Sequence, residues 1–408
     1  MPMNLLFAWR YFKSKKSTNA INIIAWISVL AIMVATAALI IVLSVFNGFE
    51  DLVKGLYSDF YSDMKIVPAT GKFFTITQQE VKKISSVAGV GALSFVAEES
   101  AVLVNGQYHA VIYLKGVDDN YTRVSKLAKH IVRGSYDLGT QGNPGLISGV
   151  GIENAVGANP VAEPPVELVI YLPNRKATNF NNLEALHSYN INATGTYMVQ
   201  QDFDDKYSFT NLAFVQYMLD LAPNQYSSIE FSIKDPDKSS QVKANLQKIL
   251  GSKFSVQTRL EENQSLFTTM QMEKWFIFAL LSLILVVAAF NMIGALTMLV
   301  LEKQKDIAVL KAMGASNNRI MHVFLTEGFL LAGIGSASGM ALAFLVCMAQ
   351  IKFKLIKLTG GTFIIDAYPV KMYLQDFLLV TLTVSLVAVI ASWIPSRKAA
   401  TQKFSLKS

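Results

Sequence analysis

The chain has 408 residues, 52% of them hydrophobic and 16% charged, against about 45–50% and about 25% in an ordinary soluble domain. Its net charge of +7 is unevenly spread: residues 47–274 carry 20 Lys/Arg and 24 Asp/Glu, and the remainder carries 16 and 5. Cations that flank apolar blocks mark the cytoplasmic ends of membrane spans and not a nucleic-acid surface, and a single cysteine, Cys347, excludes a disulfide framework or thiolate metal site.

Residues 1–20 contain Arg10, Lys13, Lys15 and Lys16 and no acid, the pattern of a cytoplasmic segment. Residues 21–46 follow without a charge. As a helix they measure about 39 Å, more than the roughly 30 Å hydrocarbon core. A secretory signal has a shorter apolar stretch, about 7–15 residues, so this block is expected to be a retained, tilted span even though Ala35 and Ala37 have cleavage-site spacing.

Residues 47–274 are long enough for one or two folded modules. Alternating or β-branched runs at 101–103, 110–114, 166–172, 195–199 and 228–233, mixed with amphipathic stretches at 78–87, 212–220 and 238–250, predict an α+β domain. Glycine and proline between Gly134 and Pro165 suggest a break between two halves. His109, His130 and His187 are scattered, without metal or triad spacing. Asp202, Asp204 and Asp205 lack the glycine and terminal glutamate of a calcium loop and read as a solvated turn. Residues 173–188 (PNRKATNFNNLEALHS) form a polar connection between strand-like runs, either functional or merely mobile.

Three more apolar blocks close the chain: 275–301, uncharged; 323–348, interrupted only by Glu327; and 377–394, uncharged. The tail 395–408 carries Arg397, Lys398, Lys403 and Lys407 and no acid. The predicted architecture is therefore four transmembrane helices, one before the large extracytoplasmic domain and three after it, with both termini cytoplasmic. This puts loop 302–322 inside and loop 349–376 outside, the latter despite Lys352, Lys354, Lys357 and Lys371.

After the second block come Glu302, Lys305 and Asp306, then Ile307, Leu310, Lys311 and Met313 at helical spacing, then a stop at Gly314. This is a short amphipathic helix at the cytoplasmic face, either an anchored loop or an element that transmits motion to a partner. The small residues of the third span suit close helix packing, and Asn291 in the second suits an interhelical hydrogen bond. Glu327 is expected to reach water, lipid headgroups or a partner. No GxxxxGK[ST] phosphate loop occurs, so energy from nucleotide hydrolysis has to come from a separate subunit.

The opening LLFAWRYFKSKKS, SVFNGFE (44–50), VVAAFNMIGALTMLVLEKQKDIAVLKAMGAS (286–316) and LTEGFLLAGIGSASG (325–339) resemble the LolC/LolE membrane subunits of the lipoprotein-releasing ABC transporter, within the wider group that includes MacB and FtsX. The resemblance implies an outer, periplasmic domain of MacB-like type in a bacterial inner-membrane protein that is not itself an enzyme. It implies a second membrane subunit, identical or related, and two copies of a cytoplasmic ATPase that hold ATP and Mg²⁺, with no cofactor on this chain. The complex lifts lipoproteins from the membrane and hands them to a periplasmic chaperone by mechanotransmission. By the same resemblance Glu302, Lys305, Asp306, Leu310, Lys311 and Gly314 belong to the ATPase coupling helix. Val42, Phe46, Phe49, Met270 and Phe276 fall near an acyl-chain cavity between the subunits' first and second spans. Pro173, Arg175, Lys176 and Phe180 fall in a chaperone-contact loop. A MacB-like exporter or an FtsX-like regulator of cell-wall hydrolases is the alternative.

Overall fold

The computed structural model describes residues 19–163, 166–174, 186–358 and 367–401. They fall into two compact units: a helical one from 19–52, 268–358 and 367–401, and a sheet domain from 53–163, 166–174 and 186–267.

Helix α1 (Asn19–Phe60) opens the chain. The domain then runs β1 (Met64–Pro68), α2 (Gln78–Ser85), β2 (Val90–Asn105), β3 (Tyr108–Val117), β4 (Ile131–Gly134), β5 (Gly145–Gly149), α3 (Val150–Val156), β6 (Glu167–Pro173), β7 (Leu186–Tyr197), β8 (Tyr207–Asn211), α4 (Leu212–Met218), β9 (Ser228–Ile233), α5 (Ser239–Leu250) and β10 (Phe254–Thr258). The helical unit continues with α6 (Gln264–Glu302), α7 (Gln304–Ala312), α8 (Asn317–Phe353) and α9 (Leu374–Thr401).

The ten strands form one sheet in the order β10-β1-β9-β2-β3-β8-β5-β7-β4, with β6 pairing β2 and β7. Pairing is antiparallel except for β3 with β8 and β5 with β7. The β2–β3 hairpin turns at Gly106, whose φ of +58° is a conformation that glycine adopts without a Cβ penalty. Strand β6 shows the expected two-residue period, with Leu168, Ile170 and Leu172 fully buried. The α+β expectation holds. The expected break across 134–165 does not mark a boundary, because β5 lies within that stretch and pairs both β7 and β8 inside the sheet. All five residues of β5 are buried, so glycine there serves close packing and not a linker.

Helices α1, α6, α8 and α9 are long and apolar enough to cross a membrane by length and composition. Each runs past its apolar block. The last turns of α1 are the clearest case, because Tyr57 and Phe60 enter the core of the sheet domain beside Tyr197, Phe203 and Phe209. The compact sheet domain accordingly spans 53–267, inside the 47–274 read from hydropathy. In the helical unit Leu39, Ile40, Leu43, Leu285, Met292, Leu331 and Val380 share one buried cluster. Small residues set its spacing: a Cβ on Gly335 or Gly339 falls 2.9 or 2.5 Å from the carbonyl oxygens of Val29 or Met33 on α1, and one on Gly328 falls 2.4 Å from the Ser392 Cβ on α9.

Candidate functional site

Within the helical unit, near the point where α1 leaves it, polar groups of α6 and α9 gather on Asn47, which is 1% exposed. Its Oδ1 accepts a hydrogen bond from Lys274 Nζ at 2.6 Å. Its Nδ2 donates to Asp376 Oδ2 at 2.5 Å and to the Lys371 carbonyl at 3.3 Å. One amide thus bridges a cation on α6, a buried carboxylate on α9 and the backbone before α9. The segment leading into α9 is pinned at further points. Lys371 N–H donates to the Ser44 carbonyl at 2.9 Å. Phe49 meets Tyr368 edge-on at 5.7 Å, and Lys371 Nζ sits 2.5 Å from Asp51 Oδ1. A Cβ on Gly48 would fall 2.3 Å from the Pro369 carbonyl oxygen, so only glycine lets this segment seat. Lys371, one of the unexplained cations of loop 349–376, is therefore a structural clasp.

Beside this hub lies a cavity of about 410 Å³ lined by Leu43, Glu50, Gln271, Lys274, Trp275, Phe278, Gln375, Asp376 and Leu379. The five residues assigned to an acyl-chain cavity stand on the same helices, but none lines this space. Val42, Phe46 and Met270 are half-buried, Phe49 packs on Tyr368, and Phe276 is 70% exposed. Their neighbours Leu43, Gln271 and Trp275 face it instead.

At the other end of α6, Lys303 separates it from α7, and Gly314, at φ +87°, ends the turn that follows. Ser316 then caps α8 by accepting from Arg319 N–H. The predicted short helix exists, but its apolar residues split between two faces. Ile307 is buried with Val300, Ile320, Phe324 and Ala399. Leu310 is half-buried, whereas Met313 is 80% and Val309 59% exposed. Lys311 Nζ donates to the Ala400 carbonyl at 2.8 Å, fixing α7 to the end of α9. Lys303 lies 3.8 Å from Asp306. Glu302 is half-buried, and Lys305 and Gly314 are exposed.

Glu327 is only 3% exposed, and its Oε2 has no hydrogen-bond partner among the described residues, so within this chain it does not reach the surface. Asn291 is exposed on α6 and does not lie between helices of this chain.

In the sheet domain β6 and β7 pair with Pro173 opposite Leu186, so the polar connection grows from an antiparallel ladder. Arg175, Lys176 and Phe180 lie outside the described residues. His130 Nε2 stands 3.3 Å from Asp59, and His187 Nδ1 lies 2.8 Å from the Met218 carbonyl. Asp204 is no solvated turn residue: it is buried and accepts the Val199 N–H at 3.0 Å. Burial pushes its carboxyl up to about 6, against the lowering effect of the Val199 and Gln200 amides.

The residues missed in the sequence are Lys115 and Glu230, an ion pair of 2.6 Å at 3% and 4% side-chain exposure. Burial alone pulls the Lys115 ammonium down, but Glu230, with Tyr121 and Glu98, holds it well above the usual lysine value. The available signal was the end of β3, where Ile112, Leu114, Gly116 and Val117 are buried and Lys115 carries a charge among them.

Long apolar helices interrupted after the first by a mixed-sheet domain, with a short helix between the second and third, have the architecture of a membrane protein. The chain belongs to the family described as the MacB-like periplasmic core domain, which it matches over residues 25–249, and residues 278–404 match the FtsX-like permease C-terminal family. It is 25% identical over 98% of its length to a protein of Xylella fastidiosa named lipoprotein-releasing system transmembrane protein LolC, covering 97% of that protein. A protein of Haemophilus influenzae named lipoprotein-releasing system transmembrane protein LolE is 22% identical over 96% of this chain and 96% of its own length. The crystal structure of the periplasmic region of MacB from Actinobacillus actinomycetemcomitans is 14% identical with a TM-score of 0.35, covering 53% of this chain and 97% of that one.

Proposed function

We propose that this chain is the permease subunit of an ABC-type lipoprotein-releasing complex of a bacterial inner membrane. In this reading it crosses the bilayer four times, with both termini in the cytoplasm and the sheet domain in the periplasm. The observation that carries the reading is the end-to-end similarity to proteins named LolC and LolE, which spans the helices and the inserted domain alike. The chain lacks a P-loop, so ATP and Mg²⁺ belong to a separate ATPase, present in two copies, and a second membrane subunit completes the complex.

The permease works as a lever. Closure of the ATPases pushes α7, which is wedged by Ile307 and tied to α9 by Lys311. Helix α6 ends at Glu302, just before α7, and carries Lys274 toward its opposite end, so displacement reaches the Asn47 hub along one continuous helix of 39 residues. Lipoprotein acyl chains lie along the first and second spans near Val42, Phe46, Phe49, Met270 and Phe276. A periplasmic chaperone docks on the connection that contains Pro173, Arg175, Lys176 and Phe180.

Replacing Asp306 and Leu310 together tests the lever. The expected result is an assembled complex whose ATPase runs without releasing lipoprotein, and undiminished release refutes the assigned role. Photo-crosslinkers at Arg175 and Lys176 test the docking segment, which falls if they never capture a chaperone.

A further inference from the structure

The cavity beside Asn47 has an ordered polarity. On α1 the apolar Leu43 precedes Glu50 by two turns; on α6 Gln271 and Lys274 precede Phe278; on α9 Gln375 and Asp376 precede Leu379. Since α1 runs toward this end and α6 and α9 run away from it, Glu50, Gln271, Lys274, Gln375 and Asp376 lie toward one end, with Trp275 beside Lys274, and Leu43, Phe278 and Leu379 lie one to two turns deeper. A space graded in this way fits an amphiphile, head among the polar residues and chain against the apolar ones. About 410 Å³ lies within the roughly 300–1,000 Å³ of small-ligand sites.

Charge narrows the choice of head. The lining holds one cation, Lys274, and two carboxylates, Glu50 and Asp376. Asp376 is 7% exposed, and Asn47 holds it and Lys274 at fixed positions on opposite ends of one amide. A phosphate set on Lys274 gains a charge-assisted bond but meets two acids unless it brings its own cation. A primary ammonium does so, donating to carboxylates that a quaternary amine cannot hydrogen-bond.

We propose that this cavity, formed by α1, α6 and α9 of a single chain, is a binding site for a zwitterionic aminophospholipid. Phosphate contacts Lys274, ammonium contacts Asp376 and Glu50, and one acyl chain lies along Leu43, Phe278 and Leu379. The proposal does not depend on the lipoprotein-releasing reading, because the site lies within one subunit and its ligand is a bulk lipid.

The test uses the full chain in phosphatidylcholine nanodiscs with a trace of photoactivatable phosphatidylethanolamine, mapping labelled peptides and competing with unlabelled lipids. Labelling is expected at 271–278 and 375–379, and phosphatidylethanolamine is expected to compete about tenfold better than phosphatidylglycerol. Asp376→Asn should erase that preference, and Lys274→Gln should weaken competition by both lipids. Equal competition by the two lipids on the unaltered chain overturns the proposal whether or not the variants fold. So does labelling spread evenly along α6, or displacement by a triacylated lipopeptide in preference to phosphatidylethanolamine.

Discussion

Lys115 Nζ and Glu230 Oε1 lie 2.6 Å apart between β3 and β9, both side chains almost wholly removed from solvent. The ammonium also sits 5.3 Å from the centre of the Tyr121 ring and donates to its hydroxyl at 3.2 Å. Lys115→Met leaves the Glu230 carboxylate buried and alone. It is expected to destabilise the sheet domain by about 3–5 kcal/mol, whereas Lys115→Met with Glu230→Leu recovers most of that loss. Pulse proteolysis of the full chain in urea measures both. Because Lys115 titrates above its unfolded value, its contribution is fully present below about pH 10.5 and is lost only as the pH climbs through the folded value.

Asp204 has the opposite sensitivity. Its carboxyl titrates at about 6 in the folded domain, above the ordinary value of 3.8, chiefly through desolvation. The folded state therefore binds the proton first, so this group's penalty is complete above about pH 6 and fades as the pH falls toward 4. Asp204→Asn preserves an acceptor for the Val199 amide and removes the charge. The variant is expected to be more stable than the parent at pH 7.5 and to converge with it near pH 4. Proteolysis midpoints at the two pH values check this, and an unchanged difference rules the group out as the source.

The apolar blocks and the strand alternation of β6 are local patterns, and both were readable before the structure. The hub was not, because Asn47 meets partners 227 and 329 residues away in the sequence, Lys274 and Asp376. The segment SVFNGFE carried the family resemblance, but nothing in it marked Asn47 as buried. Likewise the parallel pairs β3–β8 and β5–β7 join distant segments, so the glycines around β5 looked like a linker when they pack a central strand. Hydropathy also underestimates helix length, since it ends at Phe46 while the backbone of α1 continues to Phe60 for packing reasons that residues 21–46 do not contain.

If the proposed lever is right, α7 also shows where the ATPase bears. Val309 and Met313 are four residues apart and exposed, whereas Ile307 is locked inside. Val309→Asp with Met313→Asp alters no buried contact, so the permease itself should lose less than about 0.5 kcal/mol. Its co-purifying ATPase is expected to fall about tenfold. Retention of the ATPase at parental levels, measured by quantitative mass spectrometry of the detergent-purified complex, rejects this face as the contact.

Gly48 offers the sharpest test of how loop 349–376 is held. A methyl group there meets the Pro369 carbonyl oxygen at 2.3 Å and the Val370 nitrogen at 2.7 Å, all backbone atoms that no rotamer change moves. Gly48→Ala must therefore lift the segment and break the bond from Lys371 N–H to the Ser44 carbonyl. Gly55→Ala, on the same helix with nothing within 4 Å of the new methyl, is the control and should stabilise α1 slightly. Hydrogen exchange at the Lys371 amide is expected to accelerate about tenfold in the first variant and to stay at the parental rate in the second. Equal rates in both would mean that Lys371–Asp51 and Asn47 hold the segment without the close approach at Gly48, and that the glycine of SVFNGFE answers to some other contact.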